Sequence, residues 1–150
     1  EALRRYCRGI DRLNSELVAS AFHPGAELVD YGADVLTIEV FAEYAVASLA
    51  KRFAATQHRL SNTTIEIDGT RALVESYVHA SHLERDGETE RLHTFNGSYI
   101  DRFEERDGAW KIARRTLRAD WSRVETIDTP MGGTWVASGR GGSPDPLFDT

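Results

Sequence analysis

Apolar positions recur at helical spacing in the first third of the chain and then change period. Leu3, Cys7, Ile10 and Leu13 share one helical face and predict a helix over about 2–13. Asn14 or Ser15 is suited to cap a second, short helix carrying Leu17, Val18, Ala21 and Phe22, which His23-Pro24-Gly25 would end. Residues 26–31 read as a short strand stopped by Gly32. From a cap at Thr37, the set Ile38, Phe41, Ala42, Ala45, Leu49 and Phe53 predicts the longest amphipathic helix, ending near Ala55 and just before His58.

Beyond Asn62 the pattern alternates. The runs 62–67, 72–83, 91–105 and 109–119 are β-branched and aromatic, separated by Asp68-Gly69, Asp86-Gly87 and Asp107-Gly108. Helices followed by an antiparallel meander make an α+β fold in which the helices cover one sheet face. Parity puts Ala72, Val74, Ser76, Val78, Ala80 and His82 on one face of the second run, and Phe95, Gly97, Tyr99, Asp101 and Phe103 on one face of the third. Both sets are assigned to the inner side, which places Phe53, Val78, Phe95 and Tyr99 near a ligand and turns His79 outward. After about Val124 the composition shifts to Gly, Ser, Pro and Thr, with Trp135 and Phe148 isolated. Residues 1–123 are therefore expected to form the domain, and 124–150 a tail that is either loose or a lid.

Composition narrows the function classes. A chain of 150 residues, 41% hydrophobic and 28% charged, is one globular domain rather than a disordered segment. Its formal charge of -6, with scattered Arg and Lys, offers no basic patch for a phosphate backbone, so nucleic acid is not an expected partner. Cys7 is the sole cysteine, which excludes an internal disulfide and a thiolate-rich metal site in one chain. No apolar run approaches the roughly 18 residues of a membrane span, and residues 1–8 are polar and helical rather than leader-like. The expected location is cytoplasmic. There is no Gly-x-Gly-x-x-Gly or phosphate loop, and Ser98 and Ser122 lack a nucleophile-elbow context.

One charge stands out. Asp11 continues the spacing of Leu3 and Cys7 along an apolar stripe, where an unpaired carboxylate costs several kcal/mol. His58 is the candidate partner. A carboxylate that orients an imidazole makes a general base effective near neutral pH. The plainer alternatives are an Asp11 paired with Arg8 or Arg12 at the surface, and a His58 that only meets a helix dipole. Tyr6 lies about 140° around the helix from Asp11, where it borders a pocket or simply packs. Arg114 and Arg115 point to opposite faces, so one of them reaches the interior. His82 and His93 lack the spacing that would join His58 in a metal site, and none is expected.

The segments Tyr6-Cys7-Arg8-Gly9-Ile10-Asp11, Phe22-His23-Pro24, Thr56-Gln57-His58, Gly97 to Phe103 and Asp107 to Ile112 resemble the SnoaL-like branch of the nuclear transport factor 2 superfamily over residues 1–123. That resemblance implies a cone-shaped α+β barrel, with the N-terminal helices against a highly curved antiparallel sheet and a pocket at the wide end. Within the superfamily the pattern is similar to the cofactor-free lyases: hexachlorocyclohexane dehydrochlorinase, bile-acid 7α-dehydratase and, more distantly, scytalone dehydratase. It implies His58 as base, Asp11 as its support, Tyr6 at the dehydratase tyrosine and Arg115, after Trp110-Lys111, as fixed positive charge. A tyrosine stands where the dehydrochlorinases carry a pocket lysine, which favours dehydration over dehalogenation. The leading expectation is a cofactor-independent dehydratase acting on a hydrophobic ring or polycyclic ketone. The alternatives are a polyketide cyclase or ketosteroid-type isomerase, a non-catalytic small-molecule binding module, and the small subunit of a ring-hydroxylating dioxygenase. Tyr77 and Trp110 on the outer sheet face suggest a homo-oligomer; the lyase resemblance favours a trimer, other branches a dimer.

Overall fold

The structure is a computed structural model that describes residues 1–32, 35–128 and 138–142. Asn14 divides the opening region in two. Helix α1 (Ala2–Arg12) stops where Leu13 turns left-handed at φ 57°, and the Asn14 side chain accepts a hydrogen bond from the Leu17 N–H at 2.8 Å to start α2 (Ser15–Ser20). The two helices touch backbone to backbone at Gly9, where an added Cβ would lie 2.6 Å from the Val18 nitrogen.

Strand β1 (Phe22–Val29) begins four residues earlier than the apolar pattern predicts. Phe22 pairs with Ile112 and Glu27 with Arg114 in a parallel ladder, so His23-Pro24-Gly25 is a break in register within a strand rather than a stop. The two-residue β2 (Leu36–Thr37) pairs with β1 and leads into α3 (Ile38–Arg52). Strand β3 (Ala55–Asp68) also starts early, seven residues before the expected Asn62. His58 is consequently a strand residue opposite Ala80, not a helix terminus, and Thr56, His58 and Leu60 face the same way. The register shift between Ser61 and Thr64, with Asn62 at φ 47°, is what separates the two halves of this strand.

Strands β4 (Arg71–Asp86), β5 (Thr89–Arg106) and β6 (Ala109–Ile127) form the meander, and Gly69, Gly87 and Gly108 at its turns take positive φ. The sheet order is β2-β1-β6-β5-β4-β3, antiparallel except for β1 against β6. It is curled but not closed, with β2 and β3 as edges, and the helices fill its concave side: an α+β cone. Ala72, Val74, Ser76, Val78 and Ala80 alternate into the core, and His79 faces out, its Nδ1 3.0 Å from Asn96 Oδ1. Gly97 sits at a register shift where an added Cβ would overlap the carbonyl oxygen of Arg118, so the close approach of β5 to β6 needs a residue without a side chain.

Ile127 pairs with Glu90, which carries the sheet four residues past the expected 123 boundary. Of the expected tail, residues 138–142 return to α1, where the Gly141 N–H donates to Arg12 O at 3.0 Å. Trp135 and Phe148 lie outside the described residues. Among the described residues no helix is long and apolar enough to cross a membrane. Tyr77 and Trp110 are exposed on the isolated chain.

Candidate functional site

The last turn of α1 lies against the first half of β3, and this contact brings Asp11 to His58. Both carboxylate oxygens are used. Oδ1 is 2.7 Å from His58 Nδ1, and Oδ2 accepts the His58 backbone N–H at 3.0 Å. The two side chains are only 14% and 8% exposed, so Asp11 is not the solvated surface residue of the plainer reading. A carboxylate accepting at Nδ1 makes that nitrogen the proton carrier and leaves Nε2 with a free lone pair, an assignment that follows from the hydrogen-bond network.

His58 stands in a wall between two spaces. On one side is a cavity of about 250 Å³ inside the cone, lined by Tyr6, Tyr31, Tyr99, Phe95, His58 and His82 among others. On the other is an open groove of about 990 Å³ between α1 and β3, lined by Arg4, Arg8, Asp11, Arg12, His58 and Arg140 among others. Asp11 reaches the groove and not the cavity, whereas the imidazole borders both. The larger space is the more polar; the smaller has the more apolar, aromatic walls, the kind of lining typical of small-molecule sites.

Four expected ligand contacts divide. Phe95 and Tyr99 line the inner cavity. Val78 does not: it is 2% exposed and packed within the hydrophobic core, which leaves it no surface toward a ligand. Phe53 also falls outside the lining and instead packs on histidines, 4.9 Å from the His82 ring and 5.3 Å from that of His93.

Arg115 departs further from expectation. It was expected to present positive charge to a reacting group, yet it does not line the cavity and is fully buried. Its Nε and Nη2 donate to the two oxygens of Asp101 at 2.7 and 2.8 Å, and its guanidinium stacks 4.1 Å from the Tyr6 ring and 3.9 Å from that of Tyr99. Burial would lower its pKa, but the adjacent Asp101 carboxylate reverses this and holds it well above the ordinary arginine value. Its neighbour Arg114 takes the outer face and pairs with Glu27 at 2.8 Å.

Tyr6 packs edge-on against Tyr99 with ring centroids 5.6 Å apart. Burial raises the pKa of Tyr6, Tyr31 and Tyr99, with Arg115 opposing it in part, so all three are proton donors at neutral pH. Burial likewise pushes the Cys7 thiol up to about 12, which removes it as a nucleophile. The Tyr31 hydroxyl is buried without a hydrogen-bond partner of good geometry.

Sequence reasoning missed three site residues. Tyr31 appeared as the end of a short strand, and its place beside Phe41, at 4.8 Å, depends on α3 folding back. His82 was placed on the inner face but given no role; its ring lies 5.4 Å from that of His58, and burial, with His58 adding to it, brings its pKa down to about 4. Asp101 carried the available signal, a carboxylate in an inward stripe with an arginine on the next strand. Among the described residues no three His, Cys, Asp or Glu side chains are placed to hold a metal ion.

A model of the SnoaL-like domain matches residues 1–116. A search of curated proteins found no match. Solved structures similar to this chain include a candidate scytalone dehydratase from Novosphingobium aromaticivorans, 24% identical over 96% of this chain and 91% of that one, with a TM-score of 0.68. A hexachlorocyclohexane dehydrochlorinase, LinA-type3, from Novosphingobium barchaimii is 18% identical over 89% and 90%, with a TM-score of 0.71. A protein from Kribbella flavida is 20% identical over 81% and 88%, also with a TM-score of 0.71. At such identities the likeness concerns the fold.

Proposed function

This chain belongs to the SnoaL-like domain family, and from that premise we propose that it is a cofactor-independent lyase of the dehydratase type, with His58 as base and a small hydrophobic ring ketone as substrate. The observation that carries the proposal is the 2.7 Å Asp11–His58 contact at the edge of an apolar cavity. Asp11 holds the imidazole in the tautomer whose Nε2 accepts a proton, and stabilises the imidazolium that results. Cavities for drug-sized ligands span roughly 300–1,000 Å³. The inner cavity, at about 250 Å³, suits a small ring compound better than a polycyclic one.

In the reaction, Nε2 removes the proton from the carbon beside the carbonyl. The electron pair forms the new double bond as the β-hydroxyl leaves, and the imidazolium returns the proton to that hydroxyl, so water departs and no net proton is consumed. Negative charge develops on the carbonyl oxygen meanwhile. Tyr6 and Tyr31 supply hydroxyl donors for it, and the Arg115 guanidinium acts from behind the Tyr6 ring rather than on the substrate itself. Phe95 and Tyr99 hold the ring, and neutral His82 offers a further polar contact.

A second reading is isomerisation of the ketosteroid type, in which the same imidazolium returns the proton to another carbon while the cavity's tyrosines hold the enolate oxygen. Product mass separates the two, because elimination loses water and isomerisation loses nothing. The test is to incubate the protein with β-hydroxy ring ketones and their unhydroxylated enone-forming analogues. The wild type is expected to release water, and His58→Ala to lose turnover with its circular dichroism unchanged; turnover surviving in His58→Ala sinks the proposal. A homo-oligomer, trimeric before dimeric, belongs to the same proposal, with the exposed Tyr77 and Trp110 as its motive.

A further inference from the structure

An α-helix leaves its last four carbonyls without partners inside the helix. In α1 these belong to Gly9, Ile10, Asp11 and Arg12. The first two are taken locally, Ile10 O by the Leu13 N–H at 3.3 Å and Gly9 O by the Asn14 N–H at 2.9 Å. The other two are taken by a segment more than a hundred residues away. Arg140 Nε donates to Asp11 O at 3.4 Å, and the Gly141 N–H donates to Arg12 O at 3.0 Å. The same guanidinium sends Nη1 to Phe53 O at 2.8 Å, at the residue that ends α3 five positions before His58.

We infer that Arg140 is a positioning residue for the base: by binding the backbone carbonyls of Asp11 and Phe53 with one guanidinium, it sets the separation between the helix that carries the carboxylate and the strand that carries the imidazole. This deepens the lyase proposal and rests on its reading of Asp11 and His58. Three observations converge. The two carbonyls belong to the C-terminal ends of different helices, and each leads directly to one member of the pair. The donor is a cation at the negative end of α1, where the helix dipole favours positive charge. Arg140 is also electrostatically attracted to Asp11, which offsets in part the lowering of its own pKa by burial. A planar guanidinium has separate N–H groups aimed at two acceptors at once, which a lysine ammonium on its flexible stem does not reproduce.

The test reads the His58–Asp11 hydrogen bond directly and requires no substrate. Protein labelled with ¹⁵N-histidine is followed by NMR for the exchange of the His58 Nδ1 proton with water and for the pH titration of the ring, with Asp11→Asn as the reference for a lost partner. In Arg140→Ala, proton exchange should quicken by roughly tenfold or more, the scale of weakening one hydrogen bond to a charged group. The titration should move in the same direction as in Asp11→Asn, with the circular dichroism of the sheet retained. Arg140→Lys keeps the charge and should restore less than half of that change; it also serves as the reading variant if Arg140→Ala does not fold. Exchange and titration identical to wild type in the folded variants would overturn the inference. Because no turnover is measured, that result leaves the lyase proposal standing, and failure to find a dehydration substrate leaves this one standing.

Discussion

Two carboxylates near the cavity, one buried and one partly buried, are held in opposite ways. Asp101 grips Arg115 through two hydrogen bonds at 0% exposure, a pair whose arginine keeps its charge at every accessible pH. Asp11 grips His58 at 14% and 8% exposure, and its partner is an imidazole, a side chain with both a donor and an acceptor nitrogen. The first pair is enclosed by aromatic rings and lines neither space; the imidazole of the second borders both. The difference teaches that burial of an acid is not itself a sign of chemistry. What separates scaffold from candidate site is the partner's ability to exchange a proton and the room beside it.

The contrast can be broken by substitution. His58→Ala should reduce turnover by roughly 10²–10⁴-fold, the usual worth of a positioned base, while the circular dichroism of the sheet is retained. If it unfolds the protein instead, the pair is scaffold after all. Asp101→Asn should do the reverse, lowering unfolding free energy by about 3–5 kcal/mol because Arg115 would be left charged in the core. Replacing both partners, Asp101→Leu with Arg115→Met, should recover most of that loss in the same measurement.

His82 gives a pH-dependent test. Its folded pKa, about 4, is below the ordinary 6.5, so the unfolded chain binds more protons between these values. This group's contribution is therefore intact above about 6.5 and is lost as pH falls to about 4, to a total of roughly 3 kcal/mol. The stability difference between wild type and His82→Gln, followed by urea titration over that window, should shrink with acidity; a flat difference would mean that the ring is not desolvated. The smallest effect belongs to Tyr31→Phe. Removing a buried hydroxyl that has no hydrogen bond of good geometry should shift stability by no more than about 0.5 kcal/mol while slowing turnover, a split visible by comparing melting curves with initial rates.

The sequence made the meander legible because turn chemistry and a period of two are local properties. The Asp-Gly turns and the inward stripe of β4 follow from neighbours in the chain. Asp11 was legible too, since a carboxylate in an apolar stripe contradicts its own helix. The early starts of β1 and β3 were not. Phe22 is a strand residue because Ile112 pairs with it, and Ala55 to Ser61 because β4 does, and neither partner is visible from within those segments. Arg115 was assigned to the reacting group when its environment is decided by Asp101 across the β5–β6 hairpin. Arg140 lay in a stretch whose composition suggested nothing fixed.

The crowding at Gly97 sets a limit on how this scaffold can be altered. Any side chain there collides with the Arg118 carbonyl, and the first atom it would meet besides is the tip of the Phe95 ring, 3.0 Å away. Cavity wall and strand curvature thus share one vacant methyl position. A library randomised at this codon and sorted for soluble, ligand-competent clones should return glycine almost alone, so variation in what the cone accommodates has to come from its helices.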